Sequence, residues 1–225
     1  MSFVIKLKQD HTTWCNEALD EVDLLRAYLA GLKQHLMDEK ERFRSEVEEV
    51  VLYEVEDCSH VVSFFRGIDD QTWDLEHIFT QHFPNLLLRS ALVSFYSFAE
   101  VTLDTLCDRF TRHMESNVSV ADMKDKGISR AKRYLTKLCG LDFGSLPSWA
   151  ELKNIADVRN LIVHADGCVN TNTRSELLLY IERSQFLRMD GQKLILSFEY
   201  IDHFFDVIKD LIQEIGKQIQ TKQQN

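Results

Sequence analysis

The chain has 225 residues, 44% of them hydrophobic and 28% charged, and carries a net charge of −10. That length can bury a core without disulfides or metals, and the acidic balance weighs against a protein that coats nucleic acid nonspecifically, because phosphate contacts need a local excess of Lys and Arg. Two prolines and eight glycines leave long stretches free to be helical, so the expected fold class is all-α. Cys15, Cys58, Cys107, Cys139 and Cys168 form no CxxC pair. They are expected to be reduced thiols packed as small hydrophobes, in a cytoplasmic protein. The first eight residues lack the apolar run of a signal peptide, and no stretch of about 18 uninterrupted apolar residues occurs. Neither export nor a membrane span is expected.

From Thr12 to Met37 the apolar residues Cys15, Ala18, Val22, Leu25, Leu29, Leu32 and Leu36 recur alternately three and four apart, a heptad-like helical seam. Phe43, Val47, Val51, Val55, Cys58, Val62 and Phe65 continue helical spacing on a shifted face. Residues 1–67 are therefore expected to be an N-terminal helical elaboration, either an antiparallel pair or one long bent helix. The core of a single domain would follow over 68–219, with a tail at 220–225.

Gly67-Ile68-Asp69-Asp70 marks a break, and Asp70 is expected to start a short helix carrying Trp73, Ile78 and Phe79 up to Pro84. Leu88, Leu92, Phe95, Ala99, Leu103, Leu106 and Phe110 then mark a long amphipathic helix. After a polar, irregular stretch over 116–127, a short helix is predicted over 128–139, with Ala131, Leu135 and Leu138 inward. Lys124, Lys126, Arg130, Lys132, Arg133 and Lys137 stand against Asp125 alone in this region. They form either a solvated helix face or an approach surface for RNA.

Residues 140–147 read as a loop. Ser148 with Glu151 three positions on reads as a capping box opening a helix over 149–165, with Leu152, Ile155, Ala156, Leu161 and Ile162 inward and Gly167 ending it. Beyond the polar run Asn170-Thr171-Asn172-Thr173 the pattern becomes strand-like. Phe186–Met189 and Gln192–Leu196 flank Asp190-Gly191 as a two-residue hairpin turn. A last helix over 198–219 carries Ile201, Phe204, Phe205, Ile208, Leu211, Ile212 and Ile215, followed by a frayed tail.

Nucleotide-binding loops of the GxxxxGK[ST] and GxGxxG types are missing, as are HExxH and GxSxG. His77 and His82 lie five apart, which is not a helical metal pair, and His113 and His203 have no matched partner in the sequence. No metal and no cofactor are expected. What remains is the helix end holding Arg159, Asn160 and His164. Asn160 and His164, four apart, share one helix face, and the long stem of Arg159 can reach toward them. The plain alternative is a helix C-terminus at which His164 caps carbonyls and Arg159 makes a surface ion pair.

Arg159-Asn160, three residues and then His164 resembles the signature of the HEPN family, an arginine, a polar residue and a histidine separated by four to six positions. The resemblance covers about six residues. It implies a small all-α helical bundle, to which this chain would add the N-terminal helical extension and the small β-hairpin before the last helix read above. It also implies a homodimeric, metal-independent endoribonuclease with a toxin or antiphage role, and a cognate antitoxin or defence partner. In that scheme Arg159 would stabilise phosphate charge, His164 would transfer protons, and Asn160 would fix the histidine or hold a phosphate oxygen. Glu100, midway along the preceding long helix, would orient Arg159 or His164. One subset of the family has a tyrosine two residues after the histidine that its antitoxin modifies; here that position is Asp166, which departs from the pattern. The rival reading is a noncatalytic helical module that binds a partner protein or a nucleotide.

Overall fold

A computed structural model describes residues 3–55 and 58–224, which are mostly helical with two small sheets. The seam beginning at Cys15 forms helix α1 (Phe3–Glu46). Its first half is part of the main core: Trp14, Ala18, Val22 and Leu29 are buried, and α1 packs on α3 (Phe83–His113) and α7 (Phe198–Gln224). The Trp14 indole N–H donates to the Thr102 carbonyl of α3 at 3.1 Å.

The helical expectation for 39–65 fails after Glu46. Strands β1 (Glu48–Val55), β2 (Cys58–Phe65) and β3 (Ile68–Asp69) form an antiparallel sheet in the order β1-β2-β3, with Val50 opposite Val62 and Val51 opposite Val61. Val47, Val51 and Val55 are spaced by four, a multiple of two, so the same pattern satisfies a strand face as well as a helix face. β-branched and aromatic residues crowd this stretch and favour the strand. A small second core of Phe43, Phe65, Leu75 and Phe79 joins the sheet to the end of α1.

The short helix expected from Asp70 is also revised. Residues 70–73 make a turn, Asp74 caps α2 (Leu75–His77) by accepting from the His77 amide at 2.9 Å, and one π-helical turn (Ile78–His82) leads into α3. Pro84 begins the long helix rather than ending the short one, since a first-turn residue has no helical N–H bond to lose. The segment Leu75–His113 is long and apolar enough to cross a membrane by composition, with a mean hydropathy of 1.3 in its most apolar window, half of which is buried. Leu92, Phe95, Ala99, Leu103 and Leu106 spend that hydrophobicity on the core.

α4 (Gly127–Cys139) forms over the expected span and buries Ala131 and Leu135, but Leu138, expected inward, is exposed, its place on the buried face being taken by Tyr134; α5 (Pro147–Ala165) carries the motif. The capping box does not form. Leu146 occupies the cap position, buried Ser148 donates its hydroxyl to Glu214 on α7, and Glu151 turns across to neighbouring helices. An unanticipated helix, α6 (Ser175–Arg183), follows the polar run and buries Leu177 and Ile181. β4 (Leu187–Asp190) and β5 (Lys193–Leu196) then pair, with Asp190 opposite Lys193. The turn is therefore Gly191-Gln192, one residue later than expected, with Gly191 at φ 56°. α7 continues helically through Gln224 where a frayed tail was expected.

Cys15, Cys107, Cys139 and Cys168 are free thiols, and the side chain of Cys58 lies outside the described residues. Burial pushes the Cys15 thiol up to about 11 and the Cys139 thiol up to about 12, which makes them poor nucleophiles.

Glu151 ties three helices together. Its Oε1 accepts from Tyr180 Oη on α6 at 2.6 Å and from His203 Nε2 on α7 at 2.9 Å, and its Oε2 accepts from Asn154 Nδ2 at 3.1 Å. His203 is raised above its ordinary value of 6.5, chiefly by this hydrogen bond, and Glu151 is held below 4.5 by the same contact. The histidine contribution to stability is complete below pH 6.5 and fades as pH rises through its raised value. The glutamate contribution is complete above pH 4.5 and fades as pH falls through its lowered value. We expect urea midpoints to fall from pH 5.5 to pH 8.5 in the wild type, and His203→Gln to flatten that fall. Equal slopes in the two proteins would refute the coupling.

Candidate functional site

The end of α5 is fixed before any chemistry is considered. Asp166 and Gly167 both adopt left-handed backbone, φ 52° and 70°, and their amides return to the Leu161 carbonyl. Gly167 then joins the hairpin: its carbonyl accepts from the Leu194 amide at 2.9 Å. Buried Asn85 of α3 holds the same strand, donating to Leu194 O at 2.9 Å and accepting from the Leu196 amide at 3.1 Å. The Asp166 carboxylate accepts from Lys193 and from buried Arg89, and these two bonds hold its carboxyl below the usual range. The position that departs from the tyrosine pattern is thus a structural anchor for the helix end.

On this frame Arg159, Asn160, His164 and Glu100 line one cleft of about 390 Å³, together with Tyr96, Lys126, Lys153, Asp157 and Arg174. Tyr96 and Glu100 are one turn apart on α3, and Lys126 precedes the first turn of α4. The Arg159 guanidinium lies over the Tyr96 ring, 5.5 Å from its centre, within cation–π range. Arg159 Nη1 donates to Asn160 Oδ1 at 3.1 Å. Asn160 therefore orients the arginine, where the sequence pointed to the histidine or a phosphate. His164 is exposed on the last turn of the helix.

Glu100 faces the start of α4 more than the motif. A Cβ on Gly127 would meet Glu100 Oε1 at 2.5 Å, so the carboxylate rests on that glycine. Among the described residues it forms no hydrogen bond or ion pair with Arg159 or His164. Asp157 pairs with Arg174, the residue before α6. The lining holds four cations, Lys126, Lys153, Arg159 and Arg174, against two carboxylates. This is a local positive excess in a chain of net charge −10.

No protein-family model, curated protein or solved structure matches this chain. The chemistry of the cleft is the guide to its use.

Of the six basic residues around α4, only Lys126 lines the cleft. Arg130 pairs with Asp104, and Arg133 with Asp125. Lys132 Nζ lies 5.5 Å from the centre of the Trp149 ring, while Lys124 and Lys137 are exposed. The sequence count overlooked Asp104, which arrives from α3. Tyr96, Lys153 and Arg174 escaped the sequence reading. Lys153 alone had a legible signal, because it lies seven residues before Asn160 on the same helical face. Among the described residues no group of three or more His, Cys, Asp or Glu side chains is arranged to hold a metal.

Proposed function

We propose that this protein is a HEPN-like, metal-independent endoribonuclease, acting in the cytoplasm as a toxin or antiphage effector and neutralised by a cognate partner. The observation that carries the reading is the cleft itself, which gathers an arginine stacked on Tyr96, an amide holding that arginine and an exposed histidine within a positive local field. RNA brings its own nucleophile. As the 2′-hydroxyl oxygen bonds to the adjacent phosphorus, His164 takes its proton and the Arg159 fork meets the charge on the phosphorane oxygens. The bond from phosphorus to the 5′-oxygen breaks, and that oxygen takes up a proton. The products are a 2′,3′-cyclic phosphate and a 5′-hydroxyl.

Each chain offers one such histidine, whereas the reaction needs both a proton acceptor and a donor. A homodimer with α5 beside its two-fold axis would bring a second His164 to the cleft and supply both roles. The test is to incubate purified protein with tRNA and mRNA in excess EDTA, identify the product ends by mass spectrometry and follow the oligomer by light scattering. Products ending in a 3′-hydroxyl, or cleavage abolished by EDTA, would overturn the mechanism. A monomer throughout the micromolar range would overturn the composite site.

A second reading, a noncatalytic interaction module, draws on β1. This strand is an edge of its sheet, and Val50, Val51, Leu52 and Tyr53 are 43–58% exposed there. A bulge between Val51 and Tyr53 interrupts its register with β2. Antiparallel pairing with a second copy would set Glu54 against Glu48 or Glu49, so the edge suits an extended partner segment with basic residues flanking apolar ones. A cellular phenotype that survives His164→Ala and disappears with Val51→Glu and Tyr53→Glu would favour this module.

A further inference from the structure

The cleft extends well beyond the motif. Lys153 and His164 lie eleven residues apart on α5, roughly 16 Å at 1.5 Å per residue. That is more length than one phosphate occupies. The far end is built from a different set of groups, and three observations converge on it.

The first turn of α4 opens into the cleft at Gly127, Ile128 and Ser129. The opening N–H groups of a helix have no acceptor within it. Here Lys126 supplies no side-chain cap, and no acidic residue lies in the first turn. Gly127, at φ 53°, leaves the approach to this turn clear enough for the Glu100 carboxylate to rest against it. An oxygen anion is already tolerated there.

Tyr96 supplies the second, independent observation. Its side chain is 3% exposed, it lines the cleft, and its hydroxyl has no hydrogen-bond partner among the described residues. The ring is buried while the hydroxyl reaches the solvent of the cleft, where a ligand oxygen would accept its hydrogen bond in place of water. Burial, then the neighbouring Glu100 carboxylate, pushes the phenol well above its ordinary value, so it remains a donor at neutral pH. The third observation is charge: Lys126 and Lys153 form no ion pair among the described residues, in contrast to Arg174 with Asp157.

We propose that Tyr96, Lys126, Lys153 and the first turn of α4 form a second phosphate site, holding the backbone phosphate next to the one cleaved between Arg159 and His164. This rests on the ribonuclease reading and narrows its substrate to an RNA strand engaged through at least two consecutive phosphates. A mononucleotide or free phosphate fills one site only.

The test measures binding without chemistry. A labelled all-2′-deoxy tetranucleotide lacks the nucleophile, and a deoxydinucleoside monophosphate carries a single phosphate; inorganic phosphate serves as the competitor. We expect the tetranucleotide to bind at least about tenfold more tightly than the dinucleotide. Lys126→Glu and Lys153→Glu should each weaken it roughly tenfold, with the salt dependence shallower by about 0.7 per lost phosphate contact, and should change dinucleotide binding less than about twofold. Tyr96→Phe, which keeps the ring under Arg159, should weaken the tetranucleotide about threefold at an unchanged melting temperature. Equal affinity for the two ligands, or lysine variants that bind as the wild type does, would overturn the second site. Phosphate that displaces the tetranucleotide from wild type as well as from the Lys153 variant would overturn it too. If binding follows the expected pattern while the wild type cleaves no RNA, the ribonuclease reading falls and the phosphate site stands.

Discussion

His164→Ala and Arg159→Ala are each expected to slow RNA cleavage by at least about 10², the scale on which an acid–base group or a transition-state charge partner acts. That corresponds to about 2.7 kcal/mol of lost transition-state stabilisation. Both side chains reach the cleft from the last turns of α5, and neither is a core residue. The variants should therefore melt close to the wild type and keep its oligomeric state, separating chemistry from folding. Arg159→Lys should recover only part of the loss, because lysine keeps the charge but lacks the planar fork and the stack on Tyr96. Asn160→Ala should cost less than either, since its side-chain hydrogen bond orients Arg159. If the proposed mechanism holds, a substrate with a 2′-deoxy sugar at the cut should resist every form of the protein. Single-turnover rates in EDTA decide the matter, and a His164→Ala protein that cleaves as fast as the wild type would sink the mechanism.

The largest loss of stability is expected at Trp14→Ala, about 3–5 kcal/mol. The indole is 2% exposed, packs with Ala18 and Val22 in the main core and donates to Thr102 across to α3. Truncation removes the apolar area and a buried hydrogen bond and leaves a cavity where α1 crosses the long central helix. For a chain of this size that is a fall in melting temperature of about 6–20 °C. Leu24→Ala, on the solvent side of the same helix at 62% exposure, should stay within about 0.5 kcal/mol. Urea unfolding of the two variants measures the contrast directly. A Trp14 variant that loses less than about 1 kcal/mol would mean that the first half of α1 is not part of the cooperative core.

The local signals that served well were those with one physical reading. The 3.6-residue period along 88–110 and 198–215 has no strand alternative, and both stretches are helices. Valines spaced by four over 47–55 satisfy a strand as readily as a helix, and there the pairing of Val50 with Val62 and Val51 with Val61 chose the strand. The Asp-Gly turn slipped by one residue because the ladder pairs Asp190 with Lys193 and leaves Gly191 to take the positive φ.

The motif was legible because Arg159, Asn160 and His164 lie within six residues, and one helix places them whatever surrounds it. Everything that gives them a setting is distant in the chain. Tyr96 under the guanidinium, Asp104 neutralising Arg130 and Arg89 anchoring Asp166 come from α3, and Arg174 neutralising Asp157 is the residue before α6. Ser148 and Glu151 show the same division: their spacing suggests a local cap, yet α7 offers Glu214 and His203, and both side chains turn outward to them. Sequence by itself determined the periodic faces and the spacing of the motif, since both follow from backbone geometry over a few residues. The partners of each polar side chain were decided only by the tertiary packing, because a hydrogen bond or an ion pair depends on distance in space, which separation along the chain does not set.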